Sequence, residues 1–255
     1  MSRHGEKCSE IFCEWQRESR YTLVRLDQNV LSDLLNKLNH EGFAIVPGVV
    51  DDSVRLDLLR EVGQSPAAGI RDLTRKSESV RCLANSVAIR AIVEPVLGPE
   101  ARLVRSILFN KNAHANWHVA WHQDLAIAVQ QRKESPGFIC WSTKNGTPHV
   151  QPPVRILEQM LNVRIHLDAA DEMNGALWVS PGSHHLGRIP ANEAAGAAKH
   201  LGTHLCTVAA GDVLLFRPLT LHASRKAISN RPRRVIHLEF AGVSLPPPLE
   251  WSEAA

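Results

Sequence analysis

The chain has 255 residues, a formal net charge of +3, 44% apolar residues and 22% charged residues. This is enough chain for one sizeable core, and the charge is too small to point to nucleic acid or an anionic membrane as the main partner. No apolar run approaches the roughly 20 residues of a membrane span, and the polar start Met1 to Lys7 lacks the apolar stretch of a secretion signal. The five scattered cysteines show no metal-type pairing and fit a reduced, cytoplasmic setting.

Residues 1–25 read as a loosely held lead-in to a single domain spanning 1–255. From Asp27, a possible cap, Val30, Leu31, Leu34, Leu35 and Leu38 recur at helical spacing until Gly42. Phe43 to Val46 reads as a short buried strand closed by Pro47-Gly48. Asp51-Asp52-Ser53 can cap a second helix with the stripe Val54, Leu58, Leu59 and Val62. Gly63 to Ser79 is loop-like; helical spacing then returns at Val80 to Leu83 and at Ser86 to Leu97, ending at Gly98-Pro99.

The remainder is rich in strands. Arg102 to Phe109, Ala120 to Val129, Val163 to Leu167, Ala176 to Val179, Leu205 to Ala209, Val213 to Arg217 and Arg234 to Phe240 are the candidates. Residues 130–153 suggest a long functional loop, Ile156 to Leu161 one or two helical turns, and Ala191 to Thr203 another loop. Short strands separated by turn signals indicate a barrel or jelly roll with helices packed on it, its core at about residues 102–242.

His122 and Asp124 form an H-x-D pair inside one strand candidate, where residues two apart share a face and Gln123 turns away. His222 follows the apolar run Val213 to Phe216 and can supply a third ligand. Two histidines and a carboxylate on one face are the arrangement of non-haem Fe(II) oxygenases. The other histidines read as ordinary residues, with His166 in the core, His184 and His185 in a turn, and entrance lining an alternative for His114 and His118; Lys111 reads as an exposed lysine, with contact to an anionic cosubstrate the alternative.

Trp121-His122-Gln123-Asp124, Asp171 to Leu177 with Asn174-Gly175, Val179 to His184, Gly211-Asp212 through His222-Ala223-Ser224, and Asn230 with Arg233 together resemble the phytanoyl-CoA dioxygenase family over roughly residues 30–242. That family is a branch of the Fe(II)/2-oxoglutarate-dependent oxygenases. The resemblance implies a double-stranded β-helix (cupin-like), mainly β with flanking helices. His122, Asp124 and His222 would hold Fe(II), which with O2 and 2-oxoglutarate would oxidise a small-molecule substrate. It also implies that Arg233 meets the far carboxylate of 2-oxoglutarate with help from Ser224, with Gln123 a further candidate for that contact. Arg231 and Arg234 lie close enough to compete with Arg233; its spacing of eleven residues from His222 favours Arg233, and alternation puts it on one face with Val235. Relatives that halogenate lack the carboxylate, so Asp124 favours hydroxylation with release of succinate and CO2. Desaturation, epoxidation or cyclisation in a biosynthetic pathway, and a silent metal- or ligand-binding role, are the alternatives. The oligomeric state is not legible in the sequence.

Overall fold

The computed structural model describes residues 28–253. The expected lead-in and the Asp27 cap lie outside the described residues. The first helix, Gln28–His40, buries Leu34 and Leu38. It ends where Gly42 takes φ +82°, a conformation that glycine adopts without strain. Strand β1, Phe43–Val46, follows. Asp51 caps helix Asp52–Glu61 as expected, its carboxylate accepting from the Val54 backbone N–H at 2.9 Å. Helices Glu78–Ala84 and Val87–Leu97 also match the apolar spacing. The region expected to be loop before them is instead structured, holding β2 (Gly69–Arg71) and a helical turn, Leu73–Lys76.

The strands β3 (Arg102–Lys111), β8 (Met160–His166), β11 (Val213–Phe216) and β13 (Arg233–Ala241) join β1 and β2 in a six-stranded sheet ordered β1-β11-β8-β13-β3-β2. Opposite it stands a four-stranded sheet ordered β10-β9-β12-β4, built from β4 (Val119–His122), β9 (Leu177–Val179), β10 (His204–Cys206) and β12 (His222–Ser224). All strand pairs in both sheets are antiparallel, and the architecture is a double-stranded β-helix with flanking helices.

Side-chain alternation divides the six-stranded sheet into two unlike faces. Leu161, Val163, Ile165, Ile236 and Leu238 point outward and bury against Leu34, Leu58, Leu83 and Ile92 of the helices. The residues between them are Asn162, Arg164, His166, Arg233, His237 and Glu239, all buried despite their polarity. Those groups face the interior between the sheets. The hydrophobic effect is satisfied on the helix side, which leaves the inner face free to carry chemistry.

Two expected loops are ordered elements. Residues 130–153 contain the hairpin β6 (Ile139–Lys144) and β7 (Thr147–Gln151), which pairs with β5 (Ile127–Ala128) in a third sheet. Within Ala191 to Thr203 lies helix Ala194–Leu201, which buries Ala194 and Ala198 one helical turn apart. The expected turn at Ile156 begins earlier, as Val154–Leu157, and gives way to β8.

Candidate metal centre and anion pocket

His122 ends β4 and His222 opens β12, and the two residues pair in register across the strands. Their rings lie 4.2 Å apart, centroid to centroid. Asp124 is not on the strand with His122. The ladder stops at His122, and the Asp124 N–H donates instead to the Pro218 carbonyl at 2.9 Å. The irregular backbone nonetheless returns the carboxylate to the imidazoles, with Oδ1 3.9 Å from His122 Nε2 and Oδ2 3.7 Å from His222 Nε2. One ligand atom from each of the three residues falls within 4.8 Å of the others.

The tautomers suit a cation. Nδ1 of His122 lies 2.9 Å from the Ala120 carbonyl, and Nδ1 of His222 lies 2.9 Å from the Thr220 carbonyl. A carbonyl can only accept, so each Nδ1 carries the hydrogen and each Nε2 presents a lone pair toward Asp124. Burial lowers the His222 pKa to about 4 and keeps the ring neutral. Burial alone would raise the Asp124 pKa, but His222, His237, His122 and Arg105 outweigh it and hold the carboxyl at about 2. Two imidazoles that turn Nε2 toward an ionised carboxylate fit a divalent first-row metal.

Asn162 on β8 donates to Asp124 Oδ2 at 2.8 Å, which fixes the carboxylate plane. Replacing it, as Asn162→Leu, is expected to weaken metal binding by about 10–100-fold, the usual effect of losing an outer-shell partner. Competition with a chelating dye would measure this; unchanged affinity would remove Asn162 from the site.

A cavity of about 170 Å³ opens beside the three ligands and is lined by Arg164, Arg233, Ser224 and Trp117. Among the three neighbouring arginines, the pairing separates the roles. Arg231 bonds Asp171 at 2.7 Å on the surface, and Arg234 clamps Asp168 through two bonds of 2.7 and 2.8 Å. Arg233 is 2% exposed, and its Nε and Nη1 have no protein partner. Burial and the neighbouring Arg164 lower its pKa to about 9.

Arg164 and Lys111, which the sequence reading did not place in the site, complete the pocket. Arg164 is buried with its Nε unpartnered, stacked 5.3 Å from the Phe109 ring centroid. Lys111, expected to be exposed, is 0% exposed. Its ammonium donates to Ser224 Oγ at 2.9 Å and to the Arg225 carbonyl at 2.6 Å. Ser224 in turn donates to the Gly175 carbonyl at 2.9 Å. A Cβ on Gly175 would stand 2.7 Å from the Arg225 carbonyl oxygen and 2.9 Å from the Lys111 nitrogen, so this corner admits only glycine. The alternation Val-Arg-Ile-His-Leu at 163–167 was the available signal for Arg164, since it puts Arg164 on the face opposite the apolar residues.

Gln123 does not join this pocket. Its Nε2 donates to the Gly187 and Leu219 carbonyls, both at 2.7 Å, and its Oε1 accepts from the Ile189 N–H at 2.8 Å. The amide is committed to tying backbone segments together, which corrects its candidacy for contact with 2-oxoglutarate. Trp121 packs against helix Ala194–Leu201, and Trp141 stacks on Arg132.

Burial, then Arg233 and Arg164, lower the Lys111 pKa from 10.5 to about 7. Between those values the unfolded chain holds a proton that the folded chain lacks, so stability rises with pH across this window. Chemical denaturation of the metal-free protein should give increasing stability from pH 7 toward 10, with a shallower rise in Lys111→Met. An equal slope in the variant would assign the effect elsewhere.

Arg233, Arg164 and Lys111 form no ion pair among the described residues, although Asp124 and Glu239 share the cavity wall, and so many buried cations suit the cavity to an anion. Among curated proteins none matches the sequence significantly. The fold is similar to those of several solved enzymes. The epimerase SnoN, in complex with Fe3+, alpha ketoglutarate and nogalamycin RO, superposes with TM-score 0.66 at 18% identity, over 84% of each chain. EctD from S. alaskensis, in its apoform, gives 0.66 at 20% identity over 85% of this chain and 79% of that one. HygX from Streptomyces hygroscopicus, with nickel and 2-oxoglutarate bound, gives 0.60 at 17% identity over 82% and 85%. The sequence model described as phytanoyl-CoA dioxygenase (PhyH) matches residues 38–235, a span that takes in all three clustered ligands and Arg233. This chain, with that match over most of its length, belongs to the phytanoyl-CoA dioxygenase family.

Proposed function

We propose that the protein is an Fe(II)- and 2-oxoglutarate-dependent oxygenase that hydroxylates a small organic molecule, releasing succinate and CO2. The observation that carries this reading is Arg233, a buried cation with unpartnered donors, set in the same cavity as the His122–Asp124–His222 cluster. An isolated metal-binding barrel has no use for such a group, whereas a dicarboxylate that reaches both metal and arginine satisfies it. The bound metal and 2-oxoglutarate would supply the activation of O2, which no side chain here can provide.

The chain's own residues do the positioning. His122, Asp124 and His222 offer one facial set of ligands and leave the opposite face free. Arg233 would hold the far carboxylate of the cosubstrate, with Arg164 and Lys111 adding to the field. Ser224 donates to Gly175 and accepts from Lys111, so it orients the ammonium, and any contact it makes with the cosubstrate uses its remaining lone pair. The apolar walls from Ile107, Phe109 and Leu177 limit water at the reacting centre.

A second reading has support in the neighbours. SnoN is described as an epimerase and SnoK as a carbocyclase, both from nogalamycin biosynthesis. The same groups could therefore serve a tailoring oxidation in which the substrate radical is turned to epimerisation, desaturation or ring closure.

The test is an anaerobic titration of metal-free protein with Fe(II) and then 2-oxoglutarate, followed by the weak visible absorption of the iron–oxoacid chelate. A saturable band that is absent in His122→Ala supports the reading. Iron binding without a band refutes it and leaves a metal-binding barrel.

A further inference from the structure

A second cavity, of about 320 Å³, shares His122 and Asp124 with the first but is not lined by Arg233 or Arg164. Arg105 on β3 borders both cavities. Its Nη1 bonds Glu239 at 2.8 Å, but Glu239 is shared with His237 at 3.3 Å. Lys144, the last residue of β6, borders the second cavity and has no carboxylate partner among the described residues. Behind Arg105, on the neighbouring strand, Arg71 keeps a buried Nη1 with no hydrogen-bond partner.

The acids nearby do not balance these cations. Asp124 belongs to the metal cluster. Glu253 is held by the Ser106 N–H at 2.9 Å and the Thr74 hydroxyl at 2.8 Å, and burial raises its pKa and so weakens it as a counter-charge. Asp72, beside Arg71, and Glu239, already bonded to Arg105, are the acids that remain, two against the three cations. Burial, then Arg105 and Arg71, depress the Lys144 pKa, against a weaker opposing pull from Asp124 and Glu239. Positive charge at the second cavity therefore persists after a dianionic cosubstrate has satisfied Arg233 and Arg164. A neutral or cationic molecule would leave that repulsion in place, while an anion would relieve it.

We propose, resting on the oxygenase reading above, that the substrate is a small organic acid whose anionic group docks against Lys144 and Arg105 in the second cavity. His122 and Asp124 line both cavities, so a molecule anchored there would present its neighbouring carbons to the metal from a cavity that Arg233 does not line. The Gln151 side chain, also on the cavity wall, adds a neutral donor or acceptor for the rest of the molecule. A carboxylate and a phosphate monoester share the required chemistry.

The experiment uses whole protein loaded anaerobically with Fe(II) and 2-oxoglutarate. The probes share one alkyl chain: hexanoate, hexyl phosphate, hexanamide and hexylamine. The readouts are a saturable change in the chelate band and, after admitting air, faster succinate release. The expected result is a response to one or both anions, the stronger of the two identifying the anionic group, and none to the amide or amine. Lys144→Glu, on an exposed hairpin position, should keep the chelate band and weaken the anion response about tenfold or more, the scale of one charge-assisted hydrogen bond. Arg71→Met should weaken it less, because Arg71 acts through the field. Equal responses to acid and amide, an unaltered response in Lys144→Glu, or no response to any probe at millimolar concentration overturns the proposal. A missing chelate band in the unaltered protein refutes the oxygenase reading instead, so the two failures are distinguishable.

Discussion

Replacing Arg233 with methionine is expected to abolish cosubstrate binding and, at the same time, to make the metal-free protein more stable. The side chain is 2% exposed, lacks partners at two of its nitrogens, and sits beside the equally buried Arg164. Desolvating a guanidinium without a counter-ion is costly, and an apolar side chain of similar length removes that cost, for a gain of roughly 1–4 kcal/mol by analogy with buried charges replaced by hydrophobic groups. If Arg233 holds the dicarboxylate as proposed, the same change would delete up to two charge-assisted hydrogen bonds, worth roughly 1.5–3 kcal/mol each, so affinity should fall about a hundredfold or more. Differential scanning calorimetry with and without Fe(II) and 2-oxoglutarate reads both effects. The unaltered protein should gain stability with ligand in proportion to the logarithm of its concentration, and the variant should start higher and gain nothing from 2-oxoglutarate. A variant that is less stable when empty, or that still responds to the oxoacid, would contradict the assignment. Arg231→Met provides the contrast, because Arg231 pairs with Asp171 at the surface.

Asp124→Ala should lose metal more completely than any other single change in the inner wall. It removes the only anionic member of the cluster, and the loss should exceed the roughly 10–100-fold expected for the Asn162 substitution behind it. Two neutral imidazoles would remain, along with the Asn162 amide, whose 2.8 Å bond to Oδ2 would have no acceptor. Activity measured as succinate release should fall to background, and equilibrium dialysis should show no saturable Fe(II) uptake. Asp124→Glu tests geometry rather than charge. The extra methylene moves the carboxylate off the position set by the Pro218 carbonyl and Asn162, so it should bind metal more weakly and still fail to turn over. Tight iron binding by Asp124→Ala would show that the metal is held elsewhere.

The chemistry-bearing residues were legible because residue type and spacing survive without coordinates. The H-x-D pair, the later histidine and an arginine in alternation with Val235 need only a strand period and a ligand count. Asp124 was placed in the right cluster for a partly wrong reason, because β4 ends at His122 and the carboxylate returns through irregular backbone. Elements without an apolar pattern were missed. Helix Ala194–Leu201 buries only Ala194 and Ala198, and the hairpin of β6 and β7 exposes most of β6. Arg164 draws no notice in the sequence, and Lys111 reads first as an exposed lysine and only second as an anion contact, for a related reason. Polarity normally marks the outside, but in this sheet the helices cover the apolar face and the polar face lines the cavity. Only the closure of two sheets over that face, which spacing along one chain does not encode, shows which side is inside.

The pairing of His122 with His222 has a mechanical meaning as well. Strand β4 is the last of its sheet, so its backbone has a ladder partner on one flank only, and the chain leaves it directly after His122. An ion gripped by both rings would rivet this margin to β12. Release of the ion and peeling of the margin would then belong to one equilibrium. Heat or denaturant that frays the hem would empty the centre while the helix-backed sheet still holds, and replacing the ion would sew the hem shut again.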